Sequence, residues 1–324
     1  MVNGGLKIVM EQKSVAELEG ALGSEVGLER FHALIELNTV LGNSDYQKSV
    51  GICREAVSVA TALGDTNLMA LARNALGNSL WKTGHNEEAQ EHYAISLSLY
   101  LELKDYKGLT RVYCGLGIVH GSLNDSANAL EFFEKGEMAA IKANDDVMLA
   151  HNLGNIGHIH VNVGDHITAL KYFAKALSID RALGAEGMQG VANMLGAIAG
   201  VMVFQGEFDG AIEKLEECLR IDEDIANWRG IAVSLMNMGI THRKAGRLAE
   251  SITYLNRALA YAEKIHLGSL LPQIYQQLAE TYEEIGDTNE AYRCLRKYNE
   301  YKVAEQRLHL QRKARNIVAP DIKS

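Results

Sequence analysis

Four of the chain's eleven histidines crowd into one short stretch, His151, His158, His160 and His166. Imidazoles at suitable spacing bind zinc or move protons. Here the spacing argues against both. His158 and His160 are two residues apart, so on a helix they point in different directions. His151 and His158 are seven apart and share a face, but no third ligand joins them, and no His-Glu-x-x-His occurs. His120, His160 and His242 each stand four residues before a recurring turn position, a regularity that favours packing or a buried hydrogen bond over catalysis. The four cysteines, Cys53, Cys114, Cys218 and Cys294, form no Cys-x-x-Cys pair, so metal and redox readings lose their main support. Free thiols in a reducing compartment fit better. Gly115-x-Gly117-x-x-x-Gly121 looks like a phosphate loop, yet it falls inside an expected helix with no strand before it. No Ser or Cys has an activating neighbourhood. The residues therefore predict no catalytic group, no metal and no cofactor, and a protein that is not an enzyme.

The elements that carry these side chains repeat. Turn-forming residues recur at Ser44, Gly84, Asn124, Gly164, Gly206, Gly246 and Gly286, in steps of 40 residues with one step of 42. Five residues after each stands a small one: Ser49, Ala89, Ala129, Ala169, Ala211, Ser251 or Ala291. Four further on stands Cys53, Tyr93, Phe133, Phe173, Leu215, Leu255 or Leu295. A fixed period of this length means stacked supersecondary units. Within residues 70–105, Leu76, Leu80 and Trp81 mark an amphipathic helix, Gly84 ends it, and Ala89, Tyr93, Leu97 and Tyr100 mark a second. Only Pro272 and Pro320 could interrupt helices. Seven residues before the turn sit Leu37, Gly77, Gly117, Gly157, Ala199, Gly239 and Ala279. A glycine inside a helix costs about 1 kcal/mol against alanine. Close approach of two backbones, small residue facing small residue, is the expected compensation.

Leu76-Gly77, Gly84, Ala89 and Tyr93, then Ile156-Gly157, Gly164, Ala169, Phe173 and Ala176, then Met238-Gly239, Gly246, Ser251, Leu255 and Ala258, resemble the tetratricopeptide repeat (TPR) family. The family's usual unit has 34 residues. The 40-residue form here resembles the TPR arrays of bacterial sensor and regulatory regions. The resemblance implies an all-α, right-handed superhelical solenoid of seven TPR-like helix hairpins with a C-terminal extension helix. Residues 1–28 are expected to be an N-terminal tail and capping helix, 29–301 the array, and 302–324 a basic C-terminal helix and tail. The last helix should run from residue 291 to about 315 and pack through Leu295, Tyr298 and Tyr301. It resembles the exit helix of TPR sensor regions, which implies an output domain or partner reached through it.

Net charge is -9. Residues 291–324 hold nine Lys/Arg against three Asp/Glu, a net +6, so the rest carries -15. An acidic array is a poor nucleic-acid surface. No secretory signal opens the chain, and the longest unbroken apolar run, residues 195–204, is about half of a bilayer span. A cytoplasmic chain without a membrane segment is expected.

In TPR proteins the first helix of each unit lines the concave groove that takes ligands. Carried over by repeat position, the groove candidates are Asn38; Asn74, Asn78, Trp81 and Lys82; Arg111; His151 and His158; Asn193 and Phe204; and Arg243 and Lys244. Asn38 and Asn78 occupy equivalent positions, and an asparagine can both donate to and accept from a peptide backbone. Gly196 and Gly200 imply either close helix packing or room for a ligand. The resulting function is a protein- or peptide-binding TPR module, regulatory or scaffolding, in bacterial-type signalling. Two alternatives follow from the resemblance: a peptide-responsive regulator that inhibits a phosphotransfer or DNA-binding partner, and the sensor region of a nucleotide cyclase or histidine kinase.

Overall fold

A computed structural model describes residues 15–22, 26–42, 45–265 and 267–318. Ser44, the N-terminal tail and Pro320 lie outside them. The described residues form α-helices and one 3-10 turn, with no strand among them. In chain order the helices are α1 (Val15–Leu22), α2 (Gly27–Leu41), α3 (Tyr46–Leu63), α4 (Thr66–Lys82), α5 (Asn86–Leu103), α6 (Tyr106–Ser122), α7 (Ser126–Ala143) and α8 (Asp146–Asn162). They continue as α9 (His166–Ala182), α10 (Met188–Gln205), α11 (Phe208–Asp224), α12 (Trp228–Lys244), α13 (Leu248–Lys264), α14 (Leu271–Ile285) and α15 (Thr288–Val318). This is the all-helical order of TPR-like hairpins. Two compact units divide within α8, between Ile159 and His160.

The turns follow from backbone chemistry. Asn124 has φ 58°, and Gly84, Gly164, Gly206, Gly246 and Gly286 have φ between 74° and 89°, the left-handed conformation that ends a helix. A second left-handed position recurs between hairpins, at Gly64, Lys104, Asn144, Gly184 and Ala226. Aspartates then start the next helix. Asp65 Oδ1 accepts from the Asn67 and Leu68 amides at 2.8 and 3.0 Å, and Asp105, Asp145 and Asp165 cap in the same way. Each such cap contributes about 1 kcal/mol. The one 42-residue step is absorbed by the 3-10 turn Gly184–Gly187, which precedes α10.

In the first unit, Leu18 of α1 is buried with Phe31, Leu34 and Leu37 of α2 and Ala56 and Ala60 of α3. Next to them Leu76, Tyr93, Tyr100, Val112 and Leu116 form the core of α4 to α6. Tyr93 is 1% exposed, and burying a side chain of this size stabilises by about 2–3 kcal/mol. A Cβ built on Gly77 would lie 2.8 Å from the Tyr93 ring, and one on Gly115 of the following hairpin 2.6 Å from it. A Cβ on Gly117 would meet the Phe133 ring at 2.6 Å. Gly77, Gly115 and Gly117 thus make room for rings, rather than for the small residue opposite as the sequence suggests. At Gly239 backbone also comes close, with Ser251 O 3.2 Å from an added Cβ that would also strike Leu255.

In the second unit, Val191, Ala192, Leu195 and Cys218 join α10 to α11, and Ala199, Ala211, Leu215 and Met238 carry the core on to α12. Ile231, Leu235, Leu255, Ile274, Leu278 and Cys294 complete it. Residues 184–205 are long and apolar enough to cross a membrane, which counting only unbroken apolar runs overlooks. Their buried side chains pack α10 against its neighbours in this core. The final helix α15 buries Ala291 and Cys294, and Tyr301 stacks on Tyr275 with ring centroids 5.9 Å apart. Leu295 is 36% exposed, contrary to the register read from the repeat. Cys294, one residue earlier, faces inward in its place.

Candidate functional site

Each unit presents its own row of first helices. In the first unit these are α2, α4, α6 and α8 as far as Ile159. Asn38 Oδ1 accepts from Ser49 Oγ at 2.5 Å, and Ser49 Oγ lies 2.7 Å from Ser79 Oγ, a buried hydroxyl chain joining three helices. Asn78 is exposed and accepts the Tyr93 hydroxyl at 2.7 Å through Oδ1, while its Nδ2 bonds no described residue. Asn74 is buried at 4% exposure, so it is no groove residue; its position falls on the inner side of α4. Trp81 is half-buried against the core. Lys82 Nζ donates to Gly42 O at 2.6 Å and lies 5.4 Å from the Tyr46 ring centroid, a tie to the preceding hairpin. Arg111 is exposed and forms no ion pair among the described residues.

His151 does have a neighbour of chemical interest. Its Nδ1 lies 3.4 Å from Cys114 Sγ, and Asn155 Nδ2 donates to that sulfur at 3.5 Å. Cys, His and Asn are the ingredients of thiol nucleophiles. Burial, however, pushes the Cys114 thiol up to about 12, and it lowers both His151 and His158, whose rings still reach solvent. A protonated thiol beside a neutral imidazole is a hydrogen-bonded pair, not an activated nucleophile. Asn155 also touches the sulfur rather than orienting the imidazole. The other recurring histidines pack, as their spacing suggests. His120 stacks on Phe132 at 5.2 Å and pairs with Asp125 at 2.9 Å; His160 stacks on Tyr172 and His242 on Tyr254. Among the described residues no three His, Cys, Asp or Glu are placed to hold a metal.

In the second unit the row is α10, α12 and α14. Asn193 is exposed, with Gln189 Nε2 donating to its Oδ1 at 3.3 Å. Phe204 is 69% exposed, stacked on His166 at 5.4 Å, with Lys244 Nζ 5.3 Å from its centroid. Arg243 is spent otherwise than the sequence suggests. It donates to Glu280 at 2.6 Å, Glu284 at 2.7 Å and Gln277 at 3.0 Å, clamping α12 to α14. The Glu280 and Glu284 carboxylates are thereby neutralised. The candidates that keep polar groups open to a ligand are Asn78 and Arg111 in one unit, and Asn193 and Lys244 in the other. Asn155 and Asn237 were missed; each stands nine residues before its turn glycine, as does Gln277, and that shared position was the available signal.

Comparison with known proteins agrees with this architecture. The family model described as tetratricopeptide repeat matches residues 68–137, 146–224 and 230–300. No curated protein matches the chain. Among solved structures, a Rap protein complexed with Competence and Sporulation Factor is 14% identical, with TM-score 0.69, covering 90% of this chain and 80% of its own. A Rap conjugation gene regulator of a plasmid, solved with a peptide, is 16% identical, with TM-score 0.67 and coverage of 95% and 81%. A signal transduction ATPase with a tetratricopeptide repeat sensor from Pyrococcus horikoshii is 15% identical, with TM-score 0.64; the match covers 93% of this chain and 45% of that one. With the repeat model matched over most of its length, the chain belongs to the tetratricopeptide repeat family.

Proposed function

We propose that this protein is a regulatory binding module of the cytoplasm that takes a peptide or protein segment along the first-helix faces of its hairpins. The observation that carries this reading is the contrast within those helices. Their inner sides are closed by rings and alanines, while Arg111, Asn193, Lys244 and the Asn78 amide nitrogen stay open at the surface. Open donors on a rigid scaffold suit recognition of a peptide backbone and its carboxylates. The thiol beside His151 is protonated and buried, which speaks for binding over catalysis. That two solved Rap structures contain a bound factor or peptide favours a peptide-responsive regulator over a static scaffold.

The test is capture by the immobilised full chain, with the captured protein purified and rebound. Arg111→Glu in the first unit and Asn193→Ala in the second are made separately, and at least one should weaken rebinding about tenfold while the helical circular dichroism is unchanged. Rebinding at wild-type strength by both would place the contact off these faces and end the reading.

A further inference from the structure

The second unit holds a cavity of about 200 Å³ between α10 and α12, lined by Gly200, Val203, Phe204, Asn237, Ile240 and Lys244. Pockets for whole small molecules run from roughly 300 to 1,000 Å³, so this one fits a single side chain. Its floor is apolar. Cβ atoms built on Gly196 or Gly200 would meet nothing within 4 Å, so these glycines do not serve close packing, unlike Gly77 and Gly117. They leave space on the open side of the most apolar helix of the array.

Polar groups stand at both ends. Asn237 makes no side-chain hydrogen bond to any described residue, and Lys244 makes no ion pair among them, resting only over the Phe204 ring. Neighbouring Arg243 has already taken Glu280 and Glu284. Lys244 is thus a cation without an anion beside an unfilled apolar seat. Asn237 and Lys244 are seven residues apart on one helix, about 10 Å along its axis. An extended peptide covers that in about three residues.

We propose that this cavity seats the aliphatic side chain of an extended peptide whose Asp or Glu, one or two residues further on, pairs with Lys244, while Asn237 holds the peptide backbone. The proposal rests on the peptide-binding reading above and specifies its ligand.

A display library of random peptides, selected against the full chain, tests it. Wild type should enrich a Leu, Ile or Met followed within two positions by Asp or Glu. Gly200→Leu fills the seat where space is open, and removes a helix-interior glycine. It should keep or raise the urea midpoint while binding the enriched peptides at least about tenfold more weakly. Lys244→Glu should select Lys or Arg in place of the acid. Enriched peptides that bind both variants as well as wild type would overturn this seat and leave peptide binding elsewhere standing. Failure to enrich any peptide would overturn both.

Discussion

The Tyr93 hydroxyl donates to Asn78 Oδ1 at 2.7 Å, so the ring that fills the space between two hairpins is also hydrogen-bonded at the exposed face of α4. One side chain thereby links the core to the face where a ligand would lie. The same residue fixes the meaning of Gly77 and Gly115, whose missing methyl groups are the room the ring occupies.

Glycines at different first-helix positions should respond oppositely to alanine. Gly117→Ala forces a methyl against the Phe133 ring, and should lower stability by about 1–3 kcal/mol despite alanine's better helix propensity. Gly200→Ala meets open space and should raise stability by about 0.5–1 kcal/mol. Urea denaturation of the two variants side by side reads the difference. Equal effects would sink the distinction between ring-accommodating and space-leaving glycines.

Asp180 gives a pH dependence of definite sign. It is 6% exposed against Gly190, and burial raises its carboxyl from 3.8 to about 6. The folded state therefore resists the charged form, and stability is lost as pH rises from about 4 through 6. Asp180→Asn should be more stable than wild type at pH 7.5 by about 1–2 kcal/mol, after allowance for solvent screening. The advantage should vanish by pH 4. A constant difference across that window in chemical denaturation would show that the carboxyl is not the cause.

Arg243→Met keeps most of the apolar stem and removes the clamp on Glu280, Glu284 and Gln277. These partners are partly exposed, so the expected cost is about 1–2 kcal/mol. It should fall on α14 and α15, read as faster amide hydrogen exchange there with α10 unchanged. Uniform loss of protection would argue that the clamp supports the whole unit instead.

Much of the hairpin architecture was readable because a repeat reports the same packing decision several times. The small residue five after the turn is buried in every hairpin, from Ser49 to Ala291. The bulky residue four further on is buried from Cys53 through Leu255 and is exposed at Leu295, against which no described helix packs after α15. The left-handed turns were announced by glycine or asparagine. Those at Lys104 and Ala226 were not, since their residue types give no sign of positive φ. The site was less legible for the same reason that repeats are legible: pattern shows which residues are equivalent, not which pair across hairpins. Arg243 and Glu280 are 37 positions apart in sequence, and their bond depends on side-chain reach between neighbouring helices. Asn74 is equivalent to Cys114, which is also buried, and reading the two together would have assigned it to the interior.

The 3-10 turn Gly184–Gly187 shows where this scaffold can change length. Two surplus residues sit ahead of α10, and beyond it Ala211 and Leu215 keep their usual offsets from Gly206 and stay buried. A spacer at a junction of this kind can be lengthened or trimmed without recutting either flanking hairpin. Gly184, Ala185 and Glu186 are exposed while Gly187 is buried against Asp180, so an inserted tag or reporter loop belongs before Gly187.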